Sequence, residues 1–397
     1  MAISRVLLIG VDSPIGLTVL RELGAHGLEV ICVGRGRQSL GRSSRYCHAF
    51  VERPPGAISG WLAALVAEHS VTAVMAVSEG DLLQLARLKG ALKNCTLAVP
   101  DSDKLALVLD KQATLAAART TGIDVPSSWQ PENSDELAAK AAEIDYPVAI
   151  KWADPPAVAD RLSQAGLELE KVEYADDAGA LLAILHRYDA FGAYPLVQSY
   201  CPGYGLGQML NMKGGKATLH FQHRRLREWP ISGGVSTCCK AEPLSQHREQ
   251  MVKSEKLLRQ IGWEGPAMVE YRHDPASGKY WLMEINGRFW GSIPLAHHAR
   301  AEFGWEAYRT QVLGETDPML VRVDPITARY MVPDFKHLLA VLRDSSRGMG
   351  GRIGFALRFL GQLLNPATRY YVWSWRDPGP FFSDARSIIG KALHRGK

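Results

Sequence analysis

Residues 267–290, AMVEYRHDPASGKYWLMEINGRFW, decide how the rest of the chain is read. MVEY and KYWLMEI are rich in β-branched and aromatic residues and flank the turn formers Asp274-Pro275-Ala276-Ser277-Gly278, so the stretch reads as a hairpin. Folded about Ser277, it sets Glu270 directly opposite Glu284. Side chains alternate along a strand, which places Glu284, Asn286 and Arg288 on one face.

Two carboxylates facing each other repel unless something neutralises them. A hard divalent cation does so, and two Glu carboxylates with an Asn carbonyl suit Mg²⁺ alongside water and phosphate oxygens. Glu270, Glu284 and Asn286 are therefore the candidate metal ligands. Arg288 would aim a planar cation at whatever anion the metal holds. The plainer reading, a hairpin with solvated charges, fits poorly with Met268, Leu282 and Ile285, which imply a largely buried ribbon.

A chain of 397 residues exceeds one core and divides into two to four packed units. Its net charge of +5 is modest, and without an aromatic-basic recognition motif it does not point to nucleic acid. Cysteines 32, 47, 95, 201, 238 and 239 show neither C-x-x-C nor ligand spacing with His, and read as reduced thiols of a cytoplasmic protein. MAISRVLLIG carries no signal-peptide cleavage pattern, and no run of eighteen apolar residues is long enough to span a membrane.

The first hundred residues alternate strand and helix. RVLLI at 5–9, a turn from Gly10 to Gly16, a helix LTVLREL and a strand at 28–34 make a doubly wound start. The G-x₅-G spacing lacks the middle glycine of a dinucleotide fingerprint, and Arg35 stands where an acidic residue would hold ribose, so a tight structural turn is the preferred reading. A helix at 57–69, a strand at 71–77, a helix at 81–89 and a strand at 96–100 follow. Ser78-Glu79-Gly80-Asp81 lies at a strand's carboxyl end, either capping the next helix through Ser78 or contacting a substrate. Two helical patterns fill 101–122 with Lys111 at their join. A helix at 134–143 precedes a strand ending in Lys151, and 154–172 gives few signals. A helix at 175–188 leads to a strand ending near Gln198. A second hairpin covers 206–222, a basic loop 223–243, and helices 246–261 and 302–314. At 352–364 apolar residues recur at helical spacing, expected as a core-packing or dimer helix, with a membrane-surface contact as the lesser alternative.

Lys111, Lys151, the strand ending at Gln198 and Glu270…Glu284-x-Asn286-x-Arg288 stand in the order and rough spacing of the ATP-grasp superfamily. Over roughly residues 5–315 the chain resembles its carboxylate–amine ligases and carboligases, relatives of biotin carboxylase and carbamoyl-phosphate synthase. The resemblance implies an α/β fold: an N-terminal Rossmann-like pre-ATP-grasp domain (1–104), a small lid subdomain (105–195), an ATP-grasp large subdomain carrying the metal hairpin (196–318) and a C-terminal extension (319–397). It implies ATP and one or two Mg²⁺ (or Mn²⁺), with Lys111 and Lys151 clamping phosphates. Adenine would sit against Gln198 and the backbone of Ser199, Tyr200 and Cys201, although Gln198 as an ordinary edge-strand amide fits nearly as well. The sequence departs from the family where a glycine-rich lid loop is expected, since ADPPAVADRLSQAGL has little glycine, and no acidic ribose ligand is evident in GYGLGQML.

The stretch HRRLREWPISGGVSTC resembles one that some of these ligases place over the acceptor site. Arg224, Arg225 and Arg227 offer bidentate forks to a carboxylate or acyl phosphate, Arg225 foremost. Gly233-Gly234 would let backbone N–H groups approach an oxyanion. His223, His297 and His298 lack ligand spacing and are expected in core or surface roles. The implied activity is a Mg²⁺-dependent ligase joining a small carboxylate to an amine through an acyl phosphate, with Arg288 and Arg225 as catalytic arginines and a homodimer possible. Its competitors are a bicarbonate-dependent carboxylase, an ATP-binding regulator without turnover, and an NADP-dependent oxidoreductase.

Overall fold

The structure is a computed structural model that describes residues 4–153, 155–231, 234–321 and 325–394. Its first sheet is parallel, in the order β3-β2-β1-β4-β5, from β1 (Arg5–Ile9), β2 (Glu29–Gly34), β3 (Cys47–Glu52), β4 (Ala73–Ala76) and β5 (Thr96–Leu97). Val6, Leu7, Leu8 and Ile9 are wholly buried, as a strand covered on both faces requires. Edge strand β3 is half-exposed and broken by His48, so its short apolar run does not announce a buried strand. Gly10 (φ +96°) makes the turn after β1, and a Cβ on Gly16 would lie 2.3 Å from the Gly10 carbonyl oxygen. Asp12 accepts hydrogen bonds from Arg35 N (2.8 Å) and Ser39 Oγ (2.5 Å). The turn is thus tied into its own fold, in keeping with a structural role.

A second sheet, β6-β9-β7-β8, is antiparallel throughout and comprises β6 (Ser128–Trp129), β7 (Val148–Lys151), β8 (Glu173–Ala175) and β9 (Leu196–Ser199). The large subdomain expected from residue 196 begins later at strand level, because β9 pairs here. Where a lid loop was sought, a proline-led helix spans Pro155–Gln164.

The third sheet runs β14-β13-β10-β11-β12-β15-β16, with β10 (Tyr204–Lys213), β11 (Lys216–Trp229), β12 (Val235–Ala241), β13 (Gly265–Asp274), β14 (Lys279–Asn286), β15 (Thr327–Arg329) and β16 (Thr368–Tyr370). Two of its strands come from the region expected as an extension past residue 318. The basic stretch expected as a loop is mostly strand: β11 continues to Trp229 and returns as β12. Buried acids make this possible. Arg227 donates to both Asp334 oxygens (Nε 2.7 Å, Nη2 2.9 Å), and Arg329 Nε and Thr237 Oγ1 donate to the same carboxylate. Asp377, accepting from Arg21 Nε and Ser44 Oγ, fastens the C-terminal region to the first domain. Among the described residues no helix is long and apolar enough to cross a membrane.

Candidate active site

The hairpin β13–β14 turns through Asp274–Gly278, and Gly278 takes φ +70°. Pairs from Asp274–Lys279 to Tyr271–Leu282 keep a simple register, which would set Glu270 against Met283. A β-bulge beyond Tyr271 lets β14 spend one extra residue, and Glu270 faces Glu284 instead. Asn286 lies opposite Met268 two residues further on and donates Nδ2 to Glu284 Oε1 at 3.0 Å.

Next to β13 runs β10, which has glycine at the two positions level with this face. A Cβ on Gly205 would stand 2.7 Å from Arg225 Cδ, and one on Gly207 would stand 2.9 Å from His223 Nε2. The missing side chains let Arg225 of β11 lie across β10 and donate Nη2 to Glu270 Oε2 at 2.5 Å. Its Nη1 lies 3.9 Å from Glu228, and its buried Nε has no partner among the described residues. Burial opposes the Arg225 charge, but Glu270 and Glu228 outweigh it and raise its pKa. Burial also pushes the Glu270 carboxyl up to about 7; Arg225 pulls it down, while Glu284 and Glu228 push it further up. Burial and the neighbouring carboxylates thus oppose ionisation of Glu270 more strongly than Arg225 favours it.

Two lysines arrive from other elements. Lys111 opens the helix Lys111–Thr120, capped by Asp110, and its Nζ lies 4.0 Å from Glu284 Oε2. Lys151 ends β7 and donates to Gln198 Oε1 at 2.7 Å, while Gln198 Nε2 donates to Ser128 Oγ at 3.0 Å. Burial first and Lys111 second push the Lys151 amine down to about 8, against Glu284, Cys201 and Glu270. Lys151 thus feels both Lys111 and the two carboxylates, while its Nζ is bonded to Gln198. The exposed Lys171 feels the same charges: partial desolvation lowers its pKa, with Glu228, Glu284 and Glu270 opposing and Arg225 reinforcing. It sits in a stretch without strand or helix pattern, so nothing local marked it; Glu228 was hidden within the supposed loop.

The other named residues make contacts of their own. β14 ends at Asn286, so Arg288 does not continue the alternation; its Nε donates to Glu79 Oε1 of the first domain at 2.9 Å. Arg224 stacks over the Tyr204 ring, and Arg227 is committed to Asp334. The Gly234 N–H donates to Glu228 Oε2 (3.3 Å) rather than standing open, and Gly233 lies outside the described residues. Ser199 N and Tyr200 N already donate to Ser127 O and Pro147 O, which leaves the Cys201 N–H as the hinge donor without a partner among the described residues. Ser78 caps the helix Glu79–Ala86 by accepting from Asp81 N. His223 is fully buried, with burial first and Arg225 second driving its pKa down to about 3; His297 meets Glu22, and His298 the Tyr370 carbonyl.

Among the described residues no group of three or more His, Cys, Asp or Glu is set to hold a metal. Glu270, Glu284 and the Asn286 carbonyl oxygen are hard donors that fit Mg²⁺, which takes one or two carboxylates and completes its shell with water and phosphate.

No family model matches the sequence, and no curated protein does either. Solved structures match the fold. The biotin carboxylase domain of Hydrogenobacter thermophilus 2-oxoglutarate carboxylase, a dimer with MgADP, ADP and bicarbonate, aligns at TM-score 0.62 and 15% identity over 82% of this chain and 73% of that one. Staphylococcus aureus N5-carboxyaminoimidazole synthetase with ADP aligns at 0.61 and 12%, over 82% and 81%. An ADP complex of N5-carboxyaminoimidazole ribonucleotide synthetase aligns at 0.63 and 14%, over 91% and 85%. At such identities the likeness is one of architecture, and that architecture is the ATP-grasp fold.

Proposed function

We propose that this protein is a cytoplasmic, Mg²⁺- and ATP-dependent ligase that activates a small carboxylate as an acyl phosphate and passes the acyl group to an amine. The observation that carries the reading is Glu270 facing Glu284 with Lys111 of a second element 4.0 Å from Glu284, and Lys151 of a third element feels the same charges. Acids and ammonium groups so arranged match a metal-bound polyphosphate, with oxygens for its cation and cations for its oxygens. Relatives of the same fold hold MgADP or ADP, in agreement with this.

In the proposed reaction a carboxylate oxygen bonds to the γ-phosphorus as the β,γ-bridging P–O bond breaks, giving ADP and acyl phosphate. The amine nitrogen then attacks the acyl carbon, phosphate leaves, and the nitrogen loses a proton. Mg²⁺ held by Glu270, Glu284 and Asn286 would neutralise charge on the phosphate oxygens. Lys111 and Lys151 clamp the phosphates from two sides, and Gln198 with the Cys201 N–H faces the adenine. Arg225, beside Glu270, would hold the acid; Arg288 would reach an anion only by leaving Glu79. Positioning and fixed charge supply the catalysis, with no protein nucleophile required.

An ADP-release screen over amino acids, small acids and sugar-linked acids, each with an amine and Mg²⁺, tests the proposal. Turnover requiring both an acid and an amine supports it; tight nucleotide binding without ADP across the panel contradicts it. A bicarbonate-dependent carboxylase is the second reading, favoured by the bicarbonate in the Hydrogenobacter structure. Phosphate release with bicarbonate as the sole acid distinguishes it.

A further inference from the structure

Residues 331–397 contain eleven Lys and Arg against four Asp and no Glu, so the positive excess of the chain resides in this segment and the remainder is slightly acidic. Two of the four acids, Asp334 and Asp377, are buried in arginine pairs. Lys336, Arg343 and Arg358 make no ion pair among the described residues, and the first two line a shallow hollow with Trp229 and Leu339.

Apolar surface accompanies this charge. The helix Met349–Leu364 buries only Phe359 completely. Met349, Ile353, Leu357, Leu360 and Leu364 recur every three or four residues and fall within one sector of the helix, with exposures from 50% (Leu360) to 85% (Leu364). The helix Met331–Arg343 packs on it through Phe335 and Phe359 and shows a row of its own, Val332, Phe335, Leu339 and Leu342. Trp375 is 86% exposed. Scattered apolar residues need no explanation, but exposed apolar rows on two packed helices, one with Lys336 and Arg343 beside its Leu339, mark an interaction surface.

We propose that this C-terminal face docks on an anionic lipid bilayer, with the apolar row of Met349–Leu364 at the acyl boundary and the cations among the headgroups. Charge selects this occupant. A two-fold contact with a second copy would set the positive face against itself, whereas an anionic surface complements it. No described helix can span a bilayer, so the attachment is interfacial and reversible.

Co-flotation of the full-length protein with vesicles tests this, comparing equal parts phosphatidylglycerol and phosphatidylcholine with phosphatidylcholine alone. Binding to the anionic vesicles, weakened by raising salt from about 0.1 to about 0.5 M, is expected. Leu357→Glu with Leu360→Glu should lower it about tenfold or more by charging the inserted row, with helical circular dichroism unchanged. Lys336→Glu with Arg343→Glu should lower it by roughly fivefold for each cation removed from the surface, without touching the apolar row. Absence of flotation, flotation indifferent to lipid charge, or a dimer in light scattering that the leucine variant dissolves while vesicles bind nothing would each overturn the proposal.

Discussion

Lys151 is held in an environment that opposes its charge, and removing that charge should stabilise the protein while ending its chemistry. Burial, then Lys111, lowers its pKa from 10.5 to about 8. At 1.36 kcal/mol per unit this is roughly 3 kcal/mol of unfavourable interaction carried by the charged form at neutral pH. Lys151→Met keeps the length of the stem and removes the charge. It also leaves Gln198 Oε1 without its donor, at a cost of about 1–3 kcal/mol. The net expectation at pH 7 is a gain of about 1 kcal/mol, or about 1 °C in Tm at this chain length. The pH dependence separates the two contributions. Because the folded pKa lies below the unfolded one, the folded state binds fewer protons between about 8 and 10.5, and wild-type stability rises across that window. The variant lacks this rise, so its advantage should shrink and reverse by pH 10.5, a relative change of roughly 3 kcal/mol. Thermal unfolding of both proteins from pH 7 to 10.5 measures it. A variant less stable than wild type at pH 7, with a difference that does not move with pH, would refute the reasoning.

Two further expectations follow from the same face. With the Glu270 carboxyl near 7, metal must displace its proton, so apparent Mg²⁺ affinity should fall as pH drops through 7 to 6, about tenfold per unit below the pKa; titrations over that range read it, and a flat profile removes Glu270 from the ligand set. Gly205→Ala adds a Cβ within 2.7 Å of Arg225 Cδ and should push that arginine off Glu270, cutting turnover about tenfold or more with little loss of fold; unchanged kinetics would show that the position of Arg225 does not matter.

The sequence made the carboxylate pair legible for an incomplete reason. Symmetry about Ser277 sets Glu270 against Glu284, but the turn is tighter than that, and a bulge at Met283 restores the pairing. The lysines were readable because each ends or begins a patterned element. Arg225 was legible as a chemical group but not as a strand residue, since the run HRRLRE looks solvated until Glu270 and Asp334 are known to neutralise it. Arg288 was misplaced because the strand stops two residues earlier, and Lys171 acts across a distance that no local pattern encodes. Strands β15 and β16 are three residues long, too short for periodicity to reveal.

The central claim is that the Glu270–Glu284 pair holds a divalent cation together with a nucleotide clamped by Lys111 and Lys151. Electron paramagnetic resonance of Mn²⁺ with a non-hydrolysable ATP analogue tests it most directly. Wild type should bind Mn²⁺ tightly only when the analogue is present, and Glu270→Gln with Glu284→Gln should lose that signal while remaining folded. Mn²⁺ and analogue bound by the double variant as they are by wild type would contradict it.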